Sequence, residues 1–210
     1  NYLFLQIIKN KYDLVILIDS PDFNYHLAKK LKRNNFNKKV IQIVAPTVWA
    51  WRKGRAKKFA KYYDEILTLF KFEKKYFEKY GLKTTFIGHP ISLINSNLIN
   101  ANNEKKFIAF LFGSRENEIN KLYPYFKYIH DYMIVQKIDK YDLFIPTLPH
   151  LKNKILKLTH NWKINILVSD DIKKNENLYN QVFASVTCSG TASLEISKRM
   201  IPQIIIYKLN

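Results

Sequence analysis

Short apolar runs recur along the chain, and most are followed by a stretch with helical spacing. Leu14–Ile18, Val40–Val44, Glu65–Phe70, Thr84–Ile87, Phe107–Phe112, Tyr141–Ile145, Ile164–Val168, Val182–Thr187 and Pro202–Tyr207 read as strands. Leu14–Ile18 is wholly apolar, which predicts a strand buried on both faces. Val40–Val44 is apolar except for Gln42. Between the runs, apolar residues at three- and four-residue spacing predict helices over 2–11, 25–33, 52–63, 72–80, 151–159 and 175–180, another ending near Gln136, and one from Thr191 to Arg199. The 52–63 helix rests on the stripe Ala56, Phe59, Ala60 and Tyr63. Strands alternating with helices predict an α/β fold with parallel sheets. Residues 91–106 are polar and Asn-rich without a period, and read as a linker. It divides the chain into two Rossmann-like halves, 1–90 and 107–210. Because the pattern starts inside a helix and stops on a strand, both halves are expected to be incomplete.

Composition narrows the class. With 210 residues, 47% hydrophobic and 25% charged, the chain is globular rather than disordered. Cys188 is the single cysteine, which excludes an intramolecular disulfide and a cysteine metal cluster. There is no apolar run of about 18 residues and no signal-peptide pattern. The net charge is +18, from 35 Lys and Arg against 17 Asp and Glu. Such an excess points to an anionic partner: a phosphate, a nucleic acid or an acidic membrane surface. Only Arg33, Arg52, Arg55, Arg115 and Arg199 are arginines, so part of the excess is a lysine-rich compositional bias.

Three kinds of candidate chemistry stand on the loops. Asp19 and Asp22, in Ile18-Asp19-Ser20-Pro21-Asp22-Phe23-Asn24, follow the first strand. A carboxylate at the carboxyl end of a parallel strand suits a general base, and equally suits a turn or helix cap. Gly113-Ser114-Arg115 and Ser189-Gly190-Thr191 each follow a strand and open a helix. Amides at a helix start attract anions, and an arginine adds a bidentate fork. The other reading of both turns is ordinary capping. Glu195 lies one turn into the last helix, where an acid can take a ribose diol or merely face solvent. Two anion turns with an acid behind one suggest a nucleoside diphosphate. Neither turn is G-x-G-x-x-G or a Walker A loop, which disfavours NAD and ATP. Trp49 and Trp51 lie beside Arg52 in one loop, a mixture that fits a membrane interface or lipid acceptor as well as a core. His89 is placed for the junction of the halves or for a structural hydrogen bond; His26, His130, His150 and His160 have no metal-ligand spacing.

Taken in order, the segments Ile18–Asn24, Val48-Trp49-Ala50-Trp51-Arg52, Phe72-Glu73-Lys74, Phe86-Ile87-Gly88-His89, Gly113-Ser114-Arg115 and Ser189–Glu195 resemble the lipid-A-disaccharide synthase family, which are GT-B glycosyltransferases. That family's glycine-rich N-terminal motif and its C-terminal nucleotide loop find no counterpart, so the resemblance implies a fragment. It implies inverting transfer from UDP-2,3-diacylglucosamine to 2,3-diacylglucosamine 1-phosphate (lipid X), giving a β-1,6-linked disaccharide phosphate and UDP. Asp19 matches the family's essential aspartate and Arg115 its essential arginine. Gly113, Ser114, Arg115, Ser189, Gly190, Thr191 and Glu195 would hold the UDP-sugar; Asp22, Trp49, Trp51, Arg52 and His89 would face acceptor and membrane. The resemblance further implies no metal or other cofactor, no nucleic-acid partner, the cytoplasmic face of the inner membrane, and a homodimer of the full-length protein. Remaining alternatives are another GT-B UDP-sugar enzyme, of the muramyl-lipid glucosaminyltransferase or UDP-GlcNAc 2-epimerase kind, and a basic RNA-binding module.

Overall fold

A computed structural model describes residues 2–93, 106–138 and 140–208. The chain divides into two compact units, Asn1–Pro90 and Ile91–Asn210. Of the expected linker at 91–106, residues 94–105 lie outside the described residues, and Ile91 to Leu93 complete a 3-10 turn, Pro90–Leu93.

The first unit runs α1 (Tyr2–Lys9), β1 (Leu14–Ile18), α2 (Pro21–Arg33), β2 (Lys39–Ile43), α3 (Arg55–Phe59), β3 (Glu65–Thr68), α4 (Lys74–Glu78) and β4 (Lys83–Phe86). Its parallel sheet has the order β1-β2-β3-β4, with Leu14 opposite Lys39 and Ile18 opposite Ile43. Successive right-handed crossovers in one direction place the helices on one face of a sheet. The core lies there: Val15, Leu17, Leu31, Val40, Phe59, Ile66 and Phe77 are buried. The other face is open. Leu14, Ile16 and Ile18 are 44%, 49% and 64% exposed, so β1 alternates instead of being buried on both faces as its sequence predicts.

Two further expectations need correction. The helix expected from Tyr25 begins four residues earlier, at Pro21, where proline's missing N–H costs nothing. Asp22 therefore sits in the first helical turn and not on the loop. The helix expected over 52–63 is confined to Arg55–Phe59. Arg52 has φ of 52°, outside the helical region, and Asp64 donates its N–H to Val40 at 2.9 Å, which starts the next strand pairing. The apolar stripe survives because the turn after Phe59 still buries Tyr63.

The second unit runs β5 (Phe107–Leu111), α5 (Glu116–Val135), β6 (Asp142–Pro146), α6 (Pro149–Thr159), β7 (Ile166–Ser169), α7 (Ile172–Tyr179), β8 (Val182–Cys188), α8 (Thr191–Lys198) and β9 (Gln203–Ile206). The sheet is parallel, in the order β7-β6-β5-β8-β9. From β5 the chain winds first one way and then the other, which puts helices on both faces. Two cores result. Phe110, Phe112, Ile119, Phe126 and Leu143 pack on one side; Ala109, Leu111, Phe144, Tyr179 and Ile196 pack on the other. This two-sided cover explains why β5 reads as an unbroken apolar run. His130 is a core group: its Nε2 accepts the Lys163 N–H at 3.1 Å, its Nδ1 donates to Asp131, and its ring stacks on Trp162.

Candidate functional site

The reversal of strand order falls between β5 and β8. In open α/β sheets a crevice forms there, beyond the carboxyl ends of the strands. A cavity of about 640 Å³ occupies that place, lined by the strand ends Leu111, Pro146 and Cys188 and by both glycine turns. Gly113, Ser114, Arg115, Ser189, Gly190, Thr191 and Glu195, far apart in sequence, all line it.

Both turns need glycine. Gly113 has φ of 107° and Gly190 of 136°, in the region side chains avoid. At Gly113 there is also no room, since a Cβ would lie 2.6 Å from Glu118 Oε2. That carboxylate accepts the Ser114 N–H at 3.3 Å and lies 3.7 Å from the Arg115 guanidinium. An anion thus already sits at the start of α5, supplied by the chain itself. Arg115 is otherwise open, with its side chain 79% exposed. In the second turn, Ser193 Oγ donates to the Gly190 carbonyl at 2.7 Å and fixes the loop. Cys188, on the cavity wall, is buried; burial and then the Glu118 charge push its thiol up to about 11. It is a packing group, not a nucleophile, at neutral pH.

Glu195 is tied from below. Arg199, one turn further along the chain, donates to Glu195 Oε1 at 3.2 Å and makes a two-pronged pair with Glu176 at 2.6 and 2.8 Å. Its guanidinium also lies over the Tyr179 ring, 4.2 Å from the centroid.

In the first unit, Asp19 is exposed at the end of β1 and has φ of 52°. Its carbonyl accepts from Asn24 Nδ2 at 2.6 Å and from Gln42 Nε2 at 3.0 Å. Buried Asn24 and Gln42 therefore pin the strained backbone that presents the carboxylate. Asp22 instead pairs with Arg55 at 2.6 Å. Trp49 and Trp51 are 42% and 52% exposed, so neither is core. Trp49 packs edge-on against Phe72, Phe72 stacks on Phe70, and Phe70 stacks on His89. Arg52 lies over the Trp51 ring at 4.2 Å. Beneath this aromatic run Glu73 is buried and accepts the Phe70 N–H at 3.0 Å. Burial raises its pKa, opposed by the Phe70 and Leu69 amides and the Trp49 side chain. Among the described residues no group of three or more His, Cys, Asp or Glu is arranged to hold a metal ion, and no helix is long and apolar enough to cross a membrane.

A family model described as lipid-A-disaccharide synthetase matches residues 2–210. The chain belongs to the lipid-A-disaccharide synthetase family. The lipid-A-disaccharide synthase of Coxiella burnetii (strain Dugway 5J108-111) is 38% identical over 214 residues, which cover 96% of this chain and 54% of the relative. That of Rickettsia canadensis (strain McKiel) is 36% identical, covering 97% and 54%. The chain thus spans about half the length of the curated relatives it matches. Among solved structures, a S. aureus MnaA–UDP co-structure superposes with a TM-score of 0.65 at 15% identity, covering 100% of this chain and 62% of that one. The Methanocaldococcus jannaschii UDP-GlcNAc 2-epimerase in complex with UDP-GlcNAc and UDP gives 0.59 at 18% identity, covering 97% and 62%. At these identities the likeness is one of fold, and it agrees with two Rossmann-like units of parallel sheet, the GT-B class.

Several residues at these sites escape family motifs and periodicity. Gln42 carries a signal, being the one polar residue in an apolar strand. Arg199 sits four residues after Glu195, a spacing that pairs opposite charges on a helix. Glu118, in the first turn of α5, stands where acids complement unpaired amides. Glu176 and Tyr179 carry none, because their pairing with Arg199 is made only in the folded unit.

Proposed function

We propose that this chain forms part of a glycosyltransferase that joins UDP-2,3-diacylglucosamine to 2,3-diacylglucosamine 1-phosphate, with inversion at the transferred sugar's anomeric carbon. The observation that carries the reading is the second unit's cavity. It lies at the switch point of a parallel sheet and gathers both glycine turns, Arg115 and Glu195 on its walls. The family match over 2–210 supports this acceptor chemistry over the epimerase, muramyl-lipid and RNA-binding alternatives.

In the proposed reaction the diphosphate lies on the amides of the Gly113 and Gly190 turns, and Arg115 takes the charge that builds as the sugar–diphosphate bond breaks. Glu195 holds the ribose hydroxyls. Asp19 removes the proton of the acceptor 6-hydroxyl as its oxygen bonds to the anomeric carbon, and UDP departs. Arg115 and the two helix starts fill the role a metal would have, so none is invoked, and no other cofactor. The half-exposed Trp49 and Trp51 with Arg52, and His89 through Phe70 and Phe72, form the surface offered to acyl chains and anionic headgroups. Asp22 orients Arg55 at its edge. The same reading places the whole enzyme, as a homodimer, on the cytoplasmic face of the inner membrane.

Asp19→Asn is the test. A general base contributes roughly a hundred- to ten-thousandfold. Transfer to lipid X should fall within that range, with UDP affinity unchanged. Near-normal turnover would remove Asp19 as the base.

A further inference from the structure

We propose that Arg199 is a positioning residue that fixes Glu195 for the ribose of the bound nucleotide; this rests on reading the cavity as a UDP site. Glu195 is a poor anchor on its own. It stands on a short helix, and its side chain is 29% exposed. It also shares the cavity wall with Glu118 and Glu176, two like charges, in a site meant for a diphosphate. A free carboxylate there would be drawn to solvent and would repel the ligand.

Arg199 answers both problems. Its side chain is 7% exposed, and its guanidinium is clamped from three sides. Glu176 binds through both oxygens at 2.6 and 2.8 Å, the Tyr179 ring lies across its face at 4.2 Å, and Glu195 Oε1 takes the remaining reach of Nη2 at 3.2 Å. Planar two-pronged pairing leaves the arginine little freedom. Arg199 is thus a rigid post, and Glu195 leans on it through one oxygen. Oε2 remains for an incoming hydroxyl. Burial alone would weaken the arginine's hold on its proton, but the Glu176 hydrogen bonds and charge, with Glu195, more than offset this and raise its pKa. The cation therefore persists over the whole working pH range and offsets one of the two negative charges beside it.

The test separates positioning from folding. UDP and 2′,3′-dideoxy-UDP are titrated into wild type, Glu195→Gln, Arg199→Lys and the Arg199→Lys/Glu195→Gln double variant. Wild type should prefer UDP by about tenfold, the size of one charged hydrogen bond. Glu195→Gln should erase most of that preference. Arg199→Lys keeps the charge but not the fork, and should erase it to a similar extent. The double variant should lose nothing more, as residues acting as one unit do. Should Arg199→Lys unfold the chain, Arg199→Met with Glu176→Gln removes the two-pronged pair together and leaves only the part-exposed Glu195 without its post; it should show the same lost preference. Wild-type preference in a folded Arg199 variant, with Glu195→Gln preference lost, overturns the positioning role and leaves the UDP site standing. Absence of UDP binding in wild type overturns both.

Discussion

Glu73 ties the aromatic surface to an acid–base equilibrium. Its buried carboxyl has a raised pKa in the folded chain, burial being the main cause. A carboxylic acid in that position binds its proton more tightly when folded. The folded state therefore gains as pH falls from neutral through the raised pKa, and the gain is complete once pH is below the ordinary carboxylate value. Wild type should gain melting temperature relative to Glu73→Gln as pH is lowered from 8 to about 4, the ordinary Glu value. A difference that stays flat with pH would show that Glu73 titrates normally. At this scale legibility was uneven. The placements of Asp19, Gly113, Arg115, Gly190 and Glu195 at strand ends and helix starts were readable, because turn chemistry and strand ends are local facts. Glu176 and Tyr179 were not, since a tertiary partner gives each its meaning. Gln42 lay in plain view as an interruption of its strand, with a role that its hydrogen bonds to the Asp19, Ile43 and Val44 carbonyls explain.

The same division holds for the elements. Element order and type follow from periodicity, since a parallel strand and its crossover helix bury complementary faces. Boundaries failed where one backbone angle decides them, as at Ser20 and Arg52, with φ of 36° and 52°. The face of a strand is also a property of the sheet: β1 looks like a central strand but has helices on one side only. This gives a contrast that unfolding can measure. Phe59 is 1% exposed and stacks between Tyr25 and Tyr63, so Phe59→Ala should cost about 3–5 kcal/mol. Ile16, half exposed, should cost less than about 1 kcal/mol on truncation to Ala. Equal losses in urea titrations would mean that the open face is packed in solution.

For the whole molecule, the net charge of +18 and the half-exposed tryptophans make a joint claim. Electrostatic attraction to anionic lipid and insertion of aromatic rings reinforce one another, and only the first is screened by salt. Trp49→Ala/Trp51→Ala should weaken cosedimentation with phosphatidylglycerol vesicles several-fold, most clearly in high salt, and leave the fold intact. Unchanged binding would assign the attraction to lysines alone. The two-unit α/β plan and the family were legible before any coordinates, from motifs in fixed order. The cavity was not, because it exists only where the connections leaving β5 and β8 run in opposite directions along the sheet. The most direct test of that cavity is calorimetric titration of UDP into the folded chain and its Arg115→Ala variant. One saturable site, weakened at least about tenfold by the substitution, is the predicted result. Equal affinity in the two chains, or no saturable binding to either, would contradict it.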